Sequence, residues 1–121
     1  MAKPSGALGP LEAEVMAVLW RGDAPMAVRE VTDRLNTDRA EPLAYTTVLT
    51  VMTRLMTKGI LVREQVGRGF VYTPAVADIA DVAVRDVLAE FGDAALARFV
   101  ERVKMDPQLR KRLQQLMERT S

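Results

Sequence analysis

The 121-residue sequence predicts a mainly α-helical protein with one small β-hairpin. Three amphipathic stretches precede residue 59, and two β-rich runs then flank a glycine-bounded turn at residues 67–69. After Pro74 the helical period returns and continues to the end. We therefore predict a helix-turn-helix head with a hairpin over residues 1–74 and a three-helix tail over residues 75–121.

The head is expected to begin with two short helices. Residues 1–7 are expected to form a loose arm. The first helix is predicted from about residue 10 to residue 20, with Pro10 at its first position and Trp20 as a core anchor. A ligand platform is the alternative role for this lone tryptophan. The second helix is predicted over residues 27–36, after a turn at residues 21–25.

The third stretch, residues 43–58, reads LAYTTVLTVMTRLMTK and separates cleanly into two faces. One face is apolar, and the other carries Thr46, Thr47, Thr50, Thr53, Arg54, Thr57 and Lys58. Each exposed threonine loses about half a kcal/mol of helix propensity relative to alanine, so five of them need a reason. Threonine hydroxyls and methyl groups can contact phosphates and base edges in a major groove, and the two cations suit a polyanion. The alternative is a packed helix with a threonine-rich solvated side.

The hairpin is predicted from residues 60–66 and 70–73, with Arg68 alone at its tip. From Tyr45 to Tyr72 there are four basic residues and one acidic residue, whereas charges after Pro74 balance. A tip cation beside a groove-reading helix could reach a phosphate or a minor groove. An ordinary solvated turn arginine is the alternative.

Composition excludes several kinds of site. The chain has no Cys and no His, which removes disulfides, thiolate metal sites and the commonest general base. We expect no enzyme activity, no cofactor and no metal. No apolar run could span a bilayer and residues 1–10 lack a signal-peptide core, so we expect a cytoplasmic protein without a membrane partner.

The tail carries three apolar stripes but is too short to bury them alone, because units below about 50 residues need staples or a partner. A two-fold dimer through the tail would cover the stripes and pair two heads. The alternative is a monomer whose tail packs back on its own head. The predicted dimer interface comprises Val87, Phe91, Leu96, Phe99, Val100, Leu109, Leu113 and Leu116.

These features resemble the BlaI/MecI family of bacterial penicillinase repressors, which are winged-helix proteins. The matching blocks are LGPLEAEVMAVLW at residues 8–20, VREV at 28–31, LAYTTVLTVMTRLMTKG at 43–59 and FVYTP at 70–74. The third block is specific. The tail matches only in pattern and length.

The resemblance implies a homodimeric transcriptional repressor whose third helix enters the major groove of a palindromic operator, with the wing on the DNA backbone. The regulated genes would be those for β-lactamase or other stress-responsive or antibiotic-responsive functions. A winged-helix protein-interaction module without specific DNA binding is the alternative. The DNA-binding residues expected from the motif and the helix face are Tyr45, Thr46, Thr47, Thr50, Arg54 and Lys58, with Arg68 matching a wing position loosely.

The chain departs from the family pattern at three points. Antibiotic-responsive members are cleaved in the tail before a Phe preceded by Asn, and the counterpart here, Arg98-Phe99, lacks the Asn. That departure counts against induction by a protease, though not against DNA binding. Copper-responsive relatives carry a cysteine in the tail, and this chain has none. Met26 stands where Ser or Thr often caps the second helix, so we expect a cap weaker by about 1 kcal/mol.

Overall fold

The computed structural model describes residues 8–120, so the predicted arm at residues 1–7 lies outside the described residues. The order and type of the elements confirm the predicted fold class. The described chain contains α1 (Pro10–Arg21), α2 (Val28–Asn36), α3 (Tyr45–Thr57), β1 (Leu61–Val66), β2 (Gly69–Pro74), α4 (Ile79–Phe91), α5 (Asp93–Met105) and α6 (Pro107–Thr120).

The chain divides into two compact units, which meet in sequence between Ala83 and Val84, inside α4. The first unit extends past the hairpin because Val76 and Val82 are buried with the head's core. The Trp20 indole N–H also donates to the Val76 carbonyl at 3.0 Å. The functional division after Pro74 stays a prediction, while the packed head continues to Ala83.

Most of the core of the head comes from the apolar sides of α1, α2 and α3, as their periodicity predicts. Trp20 is partly buried against this core, in agreement with its predicted role as an anchor. Side chains with almost no exposure come from every element of the head. They are Val15, Met16, Val31, Val48, Met52, Leu55, Leu61, Tyr72 and Val82.

The turn between α1 and α2 holds a contact that the sequence did not reveal. Met26 pairs with Tyr72 of β2 through two backbone hydrogen bonds, of 2.8 and 3.1 Å. The prediction that Met26 occupies the cap position of α2 is wrong, since the cap residue is Ala27. The Glu30 carboxylate accepts from the Ala27 N–H at 3.1 Å and partly replaces a side-chain cap. Met26 instead extends the hairpin by one bridge and buries its own side chain.

The connection from α2 to α3 is fixed by one side chain. The Asn36 amide accepts from the Leu43 N–H at 2.8 Å and donates to the Leu43 carbonyl at 3.0 Å. Both backbone groups of Leu43 are therefore satisfied just before α3 begins. This clamp sets where α3 starts relative to α2.

The hairpin is antiparallel, with Leu61 opposite Pro74 and Val66 opposite Gly69. Gly67 is the first of the two turn residues and has φ of 62°, a conformation that favours glycine. Tyr72, near the base, is buried, whereas Phe70 on the same side lies near the tip and is exposed. The base of the hairpin belongs to the core and its tip projects into solvent.

The second unit contains the end of α4 together with α5 and α6. The Asp106 carboxylate accepts from the N–H groups of Gln108 and Leu109 at 3.0 and 3.1 Å, as expected of a helix cap. Neither α5 nor α6 contains a buried residue. The stripes that the sequence predicts are present, and packing within this unit leaves them largely uncovered.

Candidate nucleic-acid interface

The polar face of α3 points away from the core. Thr46, Thr47, Thr50, Thr53, Arg54, Thr57 and Lys58 are all exposed, while the opposite side of the same helix buries Val48, Val51, Met52 and Leu55. Because the core fixes one side of the helix, its rotation about its own axis is fixed too. The threonine row is therefore presented as a rigid surface.

The hydroxyls of this row are not equivalent. Thr50 and Thr57 donate to the carbonyls of Thr46 and Thr53 within α3, at 2.9 and 3.0 Å. Their oxygens can still accept a hydrogen bond, and their methyl groups remain exposed. Within residues 8–120, the hydroxyls of Thr46, Thr47 and Thr53 have no hydrogen-bond partner. These three can donate to an outside acceptor.

The N-terminus of α3 is open. Ala44 is the cap residue and makes no side-chain hydrogen bond, whereas Thr47 and Val48 donate their N–H groups to the Ala44 carbonyl. The first backbone N–H groups of the helix, at Tyr45 and Thr46, precede those bonds. An uncapped helix start of this kind can accept an anion.

Lys58 sits at the other end of α3, in a contact that sequence reasoning missed. Its Nζ lies 3.0 and 3.2 Å from the two carboxylate oxygens of Glu12 in α1. The Glu12 side chain is only 8% exposed and that of Lys58 is 43% exposed. The positive charge of Lys58 is thus partly offset inside the protein.

Burial by itself would raise the pKa of Glu12. The hydrogen bond from the Gly9 N–H, the bonded Lys58 amine and the charge of Arg54 together outweigh burial, so the pKa lies below its ordinary value. Glu12 is therefore a carboxylate at neutral pH. It links the start of α1 to the end of α3.

A second missed feature lies beside the N-terminus of α3. The Arg29 guanidinium of α2 stacks 5.3 Å from the centroid of the Tyr45 ring. Arg29 and Tyr45 line an open groove of about 300 Å³, whose far side is formed by Arg68 and Phe70 of the hairpin. Phe70 is itself covered by Arg63, whose guanidinium lies 4.1 Å from the ring centroid. Two of the predicted residues, Tyr45 and Arg68, thus meet at one groove.

The tail presents most of the predicted interface to solvent. Val87, Phe91, Leu96, Phe99, Val100 and Leu116 are exposed, and Leu109 and Leu113 are half-buried. The Arg98-Phe99 bond lies inside α5, where Arg98 pairs with Glu101 at 2.9 Å. A protease would have to unwind α5 locally to reach that bond.

Within residues 8–120, none of the helices has both the length and the hydrophobicity that are needed to span a bilayer. In the same residues, no three carboxylates, histidines or cysteines are grouped so that they could hold a metal ion.

A three-helix head whose third helix is followed by a two-stranded hairpin is a winged-helix fold, with α3 in the position of the recognition helix and the hairpin as the wing. The family model described as the penicillinase repressor matches residues 8–119. The chain belongs to the penicillinase repressor family.

Two relatives by sequence and structure are informative. The chain is 41% identical over 106 residues to the transcriptional regulator BlaI of Mycobacterium tuberculosis (strain CDC 1551 / Oshkosh), across 82% of this chain and 75% of that protein. The solution structure of the DNA-binding domain of the repressor BlaI is similar with a TM-score of 0.51 and 33% identity. That match covers 63% of this chain and 88% of the other.

A more distant structure shows the fold alone. The complex structure of hsRosR-S1 has a TM-score of 0.55 at 17% identity, covering 98% of this chain and 96% of the other.

Proposed function

We propose that the protein is a homodimeric, cytoplasmic transcriptional repressor that binds a palindromic operator, with α3 in the major groove and the wing on the DNA backbone. Its partners are duplex DNA and a second copy of the chain. The genes under its control are β-lactamase genes or other stress-responsive or antibiotic-responsive genes. Family membership and the likeness to a repressor's DNA-binding domain support this proposal.

One observation carries the proposal: the threonine row and Arg54 are exposed along a helix whose rotation is fixed by the core. The free donors of Thr46 and Thr47 and the guanidinium of Arg54 can bond base edges or phosphates. The methyl groups of the row can pack on thymine methyls. Lys58 belongs to the same surface through its exposed fraction, with its charge reduced by Glu12.

The dimer follows from the tail. Phe91 is 57% exposed, Leu96 is 52% exposed and Leu116 is 50% exposed. Complete burial of an exposed side chain of this size contributes about 1.5 to 3 kcal/mol, so each half-exposed side chain forgoes roughly half of that. A second copy of the tail would cover them and would set the spacing of two α3 helices for two operator half-sites.

Two features of the tail oppose induction by cleavage. Arg98-Phe99 is the nearest counterpart of the bond that is cleaved in antibiotic-responsive members, but it lies inside α5 and the preceding Asn is absent. A protease is therefore an optional partner. Repression itself does not depend on it.

A gel-shift titration tests the recognition face. The probes are a duplex from immediately upstream of the protein's own gene and a scrambled duplex of equal length. We expect Thr47→Ala and Arg54→Ala each to weaken binding to the upstream duplex by about 1 to 3 kcal/mol per lost base contact. Thr37→Ala is the matched control, because its hydroxyl is bonded to the Asp33 carbonyl on α2, away from the row.

Two results would redirect the proposal. If both variants bind the upstream duplex as tightly as the parent protein, the assigned face is wrong. If the parent protein binds the upstream and scrambled duplexes equally weakly, the same surface serves a protein partner, and the chain is an interaction module.

A further inference from the structure

We infer that Arg29, outside both the recognition helix and the wing, is a third DNA-positioning element, which holds the DNA phosphate backbone together with Arg68. The groove between α2, the start of α3 and the wing tip is then a phosphate cradle, lined by Arg29, Tyr45, Arg68 and Phe70. This inference rests on the proposed function and adds to it a residue that neither the motif nor the wing position indicates.

The charges around this cradle favour an anion. Two arginines line it, and none of its lining residues is acidic. By contrast, the groove between α1 and α2 carries Glu14 and Asp38 among its arginines, and Arg39 there is already paired with Glu14 at 2.7 Å. Within residues 8–120, neither Arg29 nor Arg68 forms an ion pair with a carboxylate. The phosphate cradle therefore has two cations whose donors are available.

The stack with Tyr45 prepares Arg29 for this role. An arginine over an aromatic face keeps the N–H groups at its edge free and loses less conformational freedom when it binds. Tyr45 is also the first residue of α3, so the stack ties the position of Arg29 to the recognition helix itself. A guanidinium held in this way can form a bidentate bond with a phosphate.

The position of the cradle suits the backbone rather than a base. It lies beside the N-terminal end of α3, between α2 and the wing, and not on the threonine row. A strand whose bases meet α3 carries its phosphates along the side of that helix. Contacts there set the register of the protein on the duplex without reading its sequence.

The salt dependence of binding measures this contact. The binding constants of the parent protein, Arg29→Ala, Arg29→Lys and Arg34→Ala are measured on the upstream and scrambled duplexes at several salt concentrations. We expect Arg29→Ala to lower the binding constants for both duplexes by the same factor, about 5-fold or more. The slope of log K against log salt should become shallower by about 0.9 per protomer. Arg29→Lys keeps the charge and should keep the slope.

Arg34→Ala is the matched control, because it removes the same charge from the same helix but lines the groove on the α1 side. It should leave the slope unchanged. Arg29 is exposed, so its variants should fold, and circular dichroism verifies this. Three results would each overturn the inference. The slope could stay unchanged in Arg29→Ala, Arg29→Ala could lose affinity for the upstream duplex alone, or Arg34→Ala could change the slope equally.

These outcomes separate the inference from the proposed function. A parent protein that binds both duplexes equally would end the operator proposal, yet the Arg29 slope would still show whether the cradle holds a phosphate. A parent protein with operator preference and an unaltered Arg29→Ala slope would end only the inference. No binding to either duplex would end both.

Discussion

The head and the tail use their apolar residues in opposite ways. Every buried hydrophobic residue of the described chain lies between Leu8 and Val82, in the unit that ends at Ala83. From Val84 onward, large apolar side chains on three helices are exposed or half-buried. The head buries its apolar side chains in a core of its own, and the tail does not.

This difference teaches what each region can do alone. A region with a closed core has a stability that does not depend on protein concentration, whereas a region that needs a second copy gains stability by mass action. A fixed head can present α3 and the wing in one geometry. In the proposed dimer, association of two tails would determine whether one head or two are present.

The largest expected effect is in the head. Leu55 has no exposed surface, so Leu55→Ala should remove about 2 to 5 kcal/mol from the free energy of unfolding, through lost burial and the cavity left behind. Urea unfolding measures this loss, which should not change with protein concentration. Leu96→Ala makes the same change in the tail at 52% exposure, and its cost should vary with concentration. If both costs behaved alike, the contrast between the two regions would fail.

The second prediction concerns assembly. Leu116→Glu places a charge in the proposed interface on α6 and should weaken self-association about tenfold or more, because an apolar contact is lost and a carboxylate would be desolvated. Operator affinity should fall with it. Sedimentation measures the association, and Gln115→Glu is the control, since it adds the same charge to a polar position next to it. A dimer unaffected by Leu116→Glu would remove this part of α6 from the interface.

The last comparison is between a partly buried ion pair in the head and a surface ion pair in the tail. Glu12→Gln should cost about 1 to 2 kcal/mol at neutral pH, because the Gly9 N–H and the Lys58 amine lose a charged acceptor. The exposed part of Lys58 limits the cost. Glu101→Gln, which breaks the exposed pair with Arg98, should cost less than about 0.5 kcal/mol.

The pH dependence sharpens this comparison. The folded protein lowers the pKa of Glu12 below its ordinary 4.5, so the unfolded chain binds the proton more readily. The stabilisation is complete above about pH 5 and is lost as the pH falls through the lowered pKa. The urea concentrations at the midpoints of unfolding of the parent protein and Glu12→Gln should therefore converge as the pH falls from 7 to 3. Parallel curves would show that the carboxylate charge contributes nothing.

Most of the fold was accessible from the sequence, because each helix of the head is amphipathic and each turn is marked by Gly, Pro or a polar run. The face of α3 was predictable for the same reason: Val48 and Leu55 must be buried, so Thr47 and Arg54 must be exposed. The tail helices followed from their stripes. No such periodic signal tells whether a tail covers its stripes on its own head or on another chain.

The contacts that the sequence did not reveal join residues distant in the chain. Glu12 and Lys58 are 46 positions apart, and Met26 meets Tyr72 only after the hairpin has folded back. Charges on an amphipathic helix look alike in sequence whether or not a buried carboxylate faces them. Arg29 likewise reads as an ordinary α2 surface residue until Tyr45 and the wing tip are placed beside it.

Trp20 can serve as a fluorescent probe of the head, because its indole donates a hydrogen bond to the Val76 carbonyl. The chain has a single tryptophan, so its emission spectrum would respond when α1 separates from the segment after β2. Dissociation of two tails would leave that emission unaltered as long as each head stays folded. Fluorescence and sedimentation measured over one urea titration would then report separately on unfolding of the head and on dissociation of the proposed dimer.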